Sequence, residues 1–256
     1  MHHDRRIRIL GLITLVAIIT VFNFAPVPQD SAYHRFADQR LIAGLPNFYN
    51  VISTIPLMIV GLAGMYRVAL GQTAGGLCAL RSLYGVFFAG VFLSGIGSSY
   101  YHWQPNSQSL LWDRLPMTIG FVALFCVVVG EYISTRTARF ILVPLLLLGL
   151  ASVVYWQITE LNGRGDLRPY ALLQFLPMLL IPVILGGFSS RLDGNGYYWG
   201  MFAAYVSAKV AEYFDVELYD LVGVVSGHTL KHLLAAVAPY LFYRALRLRR
   251  RLGKQR

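Results

Sequence analysis

The chain has 256 residues, is 56% hydrophobic and only 13% charged, and has a mean hydropathy of +0.56. Soluble domains carry about 25% charged residues, so these figures exclude an ordinary soluble globular protein. They point to an integral membrane protein. The net charge of +10 comes largely from a basic C-terminal tail, which reads as a topology and lipid-contact signal, not as a nucleic-acid surface.

A membrane-crossing helix needs roughly 20 mostly apolar residues. Segments that meet this lie at about 7–25, 49–70, 82–102, 109–130, 138–157, 170–187, 197–213 and 224–246. None alternates apolar and polar residues as barrel strands do. The expected fold is therefore all-α and integral to the membrane: a seven-helix core at 31–246, an N-terminal anchor helix at 1–30, and a basic tail at 247–256. The first segment follows the basic start "HHDRRIRIL" and outlasts the ~7–15 residues of a signal-peptide core, so it reads as a retained anchor.

With the N-terminus in the cytoplasm, fifteen Lys and Arg fall inside and four (Arg35, Arg40, Arg164 and Arg168) fall in outer loops. That bias places both termini in the cytoplasm. Cys78 and Cys126 would stay reduced there, with no structural disulfide.

Three histidines fall within or at the ends of spans, where polar groups are costly and usually functional. His228 and His232, in "SGHTLKHLL", are spaced i, i+4, so both imidazoles can reach one point from one helix face. His102 ends the third span. The fourth span begins near Asp113, and the eighth near His228, on the same predicted outer side. Ser98 shares the helix face of His102. In "GIGSSYYH" it also reads as a small residue for close helix packing. Adjacent residues on a helix point about 100° apart, so Arg114 is a poor partner for Asp113.

Together these residues read as a hydrolytic site. His102, His228 and His232 would hold zinc and leave one coordination position open. Asp113 would move the proton, and Ser98 would donate to a developing oxyanion. A site in the outer leaflet implies a lipid substrate. Three other readings use the same residues: a haem protein with histidine axial ligands, a serine intramembrane protease, and a non-catalytic lipid receptor or structural zinc protein. Glu131, Lys209 and Glu212 lie near span ends, where charged heads can reach the interface. The outer stretch "EYFDVELYD" reads as a solvated acidic loop.

The motifs resemble one known family. "GIGSSYYH…LLWDRLPM" resembles the G-x-G-S-x-x-F-H…L-L-D-E-L-P-M signature of the alkaline ceramidases. "SGHTLKHLLAAVAPY" resembles their C-terminal H-x-x-x-H segment, and "PNFYNVISTIPLMIVG" their first-helix segment. The resemblance covers spans two to eight. It implies a zinc-dependent intramembrane amidase splitting ceramide or a ceramide-like lipid into a fatty acid and an amine. By the same resemblance His102, His228 and His232 would be the metal ligands, Asp113 the general base and acid, and Ser98 the group beside the metal. The wider superfamily includes adipoQ and progestin receptors, which keeps the receptor reading open.

Three positions depart from the pattern. Arg114 stands where the family often has Glu. Lys231 stands between the histidines where an aromatic is usual, and is expected to point away from them or to contact a lipid headgroup. The acidic calcium-binding segment of eukaryotic members is missing: Asn47 stands where a Glu ligand would be, which argues against a calcium site of that kind. Short loops and basic termini fit a bacterial inner-membrane protein with its site toward the periplasmic face.

Overall fold

The computed structural model describes residues 2–252. Within it, ten α-helices follow one another with short connections and no β-strand. They are α1 (His2–Asn23), α2 (Phe48–Ile52), α3 (Ile55–Ala69), α4 (Arg81–Trp103), α5 (Ser107–Tyr132), α6 (Thr135–Leu161), α7 (Arg168–Gly187), α8 (Gly196–Tyr213), α9 (Asp215–Val222) and α10 (Gly227–Leu248). Lys254 and Arg256 of the basic tail lie outside the described residues.

The chain is an all-α membrane protein. Six helices are long and apolar enough to cross a bilayer, and α9 with α10, bent by 105°, makes a seventh if taken as one span. The remaining segment of the eight expected is α8. It is rich in Tyr, Trp and Gly and also carries Lys209 and Glu212, which both line the interior cavity described below. Apolar side chains such as Leu12, Phe140 and Leu147 face outward, the arrangement expected of helices solvated by lipid. The helix α1 lies outside the bundle against α7.

The bundle is tightest where α4 meets α5. A Cβ on Gly97 would overlap the carbonyl oxygen of Trp112, and one on Gly90 would meet the backbone of Gly120 at 2.6 Å. Pro116 has no N–H to give the carbonyl four residues back, so the Trp112 carbonyl is free to face Gly97. The small residues of "GIGSS" thus serve close helix packing. That same approach brings Ser98 and Asp113 to one cavity wall.

The end of the bundle away from the histidines is closed by a buried ion pair. Arg249 donates to Glu131 through Nη1 at 2.7 Å and Nη2 at 2.9 Å, and both side chains are at most 1% exposed. Tyr84 and Tyr198 each donate to a Glu131 oxygen at 2.9 Å, and Arg249 Nε donates to the Gly75 carbonyl at 3.1 Å. Every strong acceptor and donor of the pair is thus engaged, as a buried charge requires. Neither residue behaves as expected from its position: Glu131 does not reach the interface, and Arg249 leaves the basic tail to turn inward. Burial with a partner is the only arrangement in which either charge is stable there; losing one partner of such a pair costs about 3–5 kcal/mol.

Candidate metal centre

His102 comes from the last turn of α4, and His228 and His232 from the first two turns of α10. All three are buried, and their ligand atoms lie within 4.8 Å of one another. His102 Nε2 is 3.1 Å from His232 Nε2 and 3.3 Å from His228 Nε2. Three imidazole nitrogens at 2.0–2.1 Å from a tetrahedral zinc would be roughly 3.3–3.4 Å apart, so the two separations from His102 are close to those of a metal held by these atoms.

The tautomers fit as well. Ser53 Oγ donates to the Asn50 carbonyl at 3.1 Å, which uses its only hydrogen, so at 2.8 Å from His232 Nδ1 it must accept. His232 then carries its hydrogen on Nδ1 and leaves the Nε2 lone pair free. Phe36 packs its ring against His102 and His228, with centroids 4.7 and 4.6 Å away, and closes the cluster from the loop side.

The short helix α2 organises this arrangement. Asn47, Asn50 and Ser53 recur every three residues and so share one face. Asn47 Nδ2 donates to the His102 carbonyl at 2.8 Å, Asn50 Oδ1 accepts from Thr229 at 2.9 Å, and Ser53 holds His232. One polar stripe stitches α4 to α10. Asn47 adopts a left-handed backbone (φ 50°), a conformation that Asn tolerates better than most residues.

Other anchors come from loops. Asp215, from the stretch expected to be solvated, accepts from the backbone N–H of His228 at 2.6 Å and of Ala37 at 3.0 Å. Asp38 passes its carbonyl to Asn50 at 3.2 Å and holds Arg40 through its carboxylate at 2.7 and 2.8 Å. Burial pushes the Asp38 carboxyl up, but the Arg40 bonds outweigh it and hold it below its ordinary value. This clamp therefore stabilises above the unfolded carboxylate's titration and is lost as pH falls through the lower folded value.

Lys231 does not point away from the histidines. Its Nζ lies 2.8 Å from His228 Nε2, on the lone pair a metal would take, and 3.0 Å from Glu212 Oε1, so metal binding requires the ammonium to leave the imidazole and keep the carboxylate. Glu212 also accepts from Lys209 at 2.5 Å. The carboxylate of Glu212, on the facing helix, draws the ammonium inward and pairs it, which the spacing within α10 alone could not reveal.

Ser98 and Asp113 are buried and line a cavity of ≈ 370 Å³, together with His232. Asp113 stands outside the three-histidine cluster and forms no ion pair among the described residues. The Ser98 hydroxyl lies within reach of its carboxylate, and the charges of Lys231 and Arg114 also act on it. From Lys231 to Pro239 on α10, and from Tyr198 to Glu212 on α8, the lining spans roughly 12–21 Å at 1.5 Å per residue. Most of that wall is apolar, and Phe175, half-exposed on α7, reaches both the cavity and the outside where α7 and α8 barely touch.

A helical membrane protein with three buried histidines opening beside an apolar cavity belongs to the class of intramembrane enzymes or lipid-binding proteins. A model of the Ceramidase family matches residues 39–185, and the chain belongs to that family. Comparison with curated proteins found no match. The matched region contains Ser98, His102 and Asp113; His228 and His232 lie beyond it. Membership supports a hydrolase acting on an amide bond of a lipid.

The polar stripe predicts its own effect. Ser53→Ala should lower metal affinity about 10–100-fold, the usual cost of losing a group that orients a ligating histidine. Equilibrium metal titration of the purified protein reads it; an unchanged affinity would show that Ser53 does not orient His232.

Proposed function

We propose that this protein is a zinc-dependent intramembrane amidase that cleaves the N-acyl amide of ceramide or a ceramide-like lipid into a fatty acid and an amine. The observation that carries the proposal is the convergence of three histidine Nε2 atoms beside an apolar cavity whose wall bears an unpaired carboxylate. Zinc held by His102, His228 and His232 would supply Lewis acidity and lower the pKa of a water.

The chain's own residues account for the rest. Asp113 takes a proton from water as the water oxygen bonds to the amide carbon. It returns the proton to the leaving nitrogen as the C–N bond breaks. Ser98 donates its hydroxyl hydrogen to the carbonyl oxygen, where negative charge develops. The apolar wall below them holds the acyl chain and excludes water. Phe36 and the loop around it cover the histidines on the other side.

Turnover of a fluorescent ceramide by the purified protein tests this reading. A zinc chelator should abolish release of the labelled fatty acid, and added zinc should restore it. Activity that survives chelation, or that serine reagents remove, would overturn it.

A further inference from the structure

The two buried arginines are held in contrasting ways. Arg249 meets a carboxylate with two bonds and a carbonyl with a third. Arg114 is nearly as deeply buried, at 6% exposure, yet among the described residues its guanidinium makes one hydrogen bond, from Nη2 to the neutral Gln29 Oε1 at 2.5 Å. Its guanidinium lies over the faces of Trp156, Tyr170 and Tyr33, at 4.1, 4.9 and 5.9 Å from the ring centroids. These rings favour a cation but leave Nη1 buried without an acceptor. Arg114 forms no ion pair among the described residues.

Arg114 also lines the cavity next to Asp113. The acidic and basic side chains on that wall, apart from the ligand His232, are Asp113, Glu212, Arg114, Lys209 and Lys231. Glu212 is shared by the two lysines, so one positive charge is in excess before any metal is counted. Tyr205 and Gln174 add neutral polar groups to the same wall. A planar guanidinium with Nη1 free is suited to a carboxylate or phosphate.

We propose that the cavity selects N-acyl lipids whose amine half carries an anionic oxygen group, a carboxylate or a phosphate, which Arg114 binds through Nη1. This deepens the amidase reading and rests on it for the placement of the amide. It follows from the arginine that stands in this chain beside Asp113.

Binding is measured calorimetrically on the full-length protein in detergent with two non-cleavable probes. One is the ketone in which CH₂ replaces the amide N–H of N-palmitoylglycine; the other is its matching primary alcohol. The acid should bind roughly 10- to 100-fold more tightly than the alcohol, as a charged hydrogen bond implies. Arg114→Gln should erase that preference, and Arg114→Lys should keep only part of it because lysine lacks the planar fork. If Arg114→Gln does not fold, Arg114→Lys is decisive: an undiminished preference overturns the proposal. Equal binding of the two probes by the wild type overturns it too. So does palmitate binding that depends on Arg114 while the probe pair shows no preference, since the anion would then be the fatty acid and not the amine half. A wild type that binds the acid through Arg114 but releases fatty acid from neither ceramide nor N-palmitoylglycine overturns the amidase reading and leaves this recognition standing.

Discussion

His228→Ala is expected to reduce the metal content of the purified protein from one zinc per chain to near zero, and ceramide turnover with it. Losing an orienting group costs roughly 10–100-fold in metal affinity, and losing a direct ligand should cost more than the upper figure. His228 lies 3.3 Å from His102 through Nε2, and its backbone N–H is fixed by Asp215, so alanine should remove a ligand without releasing the helix start. Elemental analysis of both proteins checks this, with circular dichroism to show that the helices persist. A wild type without bound metal, or a variant that keeps it, would remove the metal centre.

Asp113→Asn is expected to retain the metal and lower turnover about 10²–10⁴-fold, the range for removing a positioned proton-transfer group. Asparagine keeps the shape and loses the base. Because Asp113 stands apart from the three histidines, zinc content should stay at one per chain. This separates a catalytic carboxylate from a ligand, and an amidase from a lipid receptor that uses zinc only for stability. Equal measurable rates for variant and wild type would exclude Asp113 from the reaction, and no turnover by either zinc-loaded protein would favour the receptor.

The spans were legible because length and apolarity decide what can cross a bilayer. The meeting of His102 with His228 and His232 was legible because alternate crossings fix which helix ends share a side. The residues that orient the site were harder to find. Asn47, Asn50 and Ser53 could each be explained as ordinary turn or cap residues. The signal was their spacing of three within an otherwise apolar stretch. Asp38 and Asp215 lie in loops, where a carboxylate has a solvated explanation and only the folded chain supplies its partner.

Charges near span ends misled for a related reason. A sequence shows depth along a helix but not which way the side chain turns. Glu131 and Arg249 have each other, 118 residues apart, and Lys231 has Glu212 on another helix. In each case the partner lies on a different element, and pairing overrides the preference for the interface.

The Glu131–Arg249 pair bears on how the protein meets its lipid. Tyr198 both donates to Glu131 and lines the cavity, so the closed end of the bundle forms the cavity floor. An acyl chain then has no through-route, and under the proposed function substrate would arrive by diffusion in two dimensions within the leaflet. Its rate is governed by the mole fraction of lipid at the surface and not by the bulk concentration. Diluting a substrate with inert detergent at fixed bulk amount should therefore slow the enzyme in proportion.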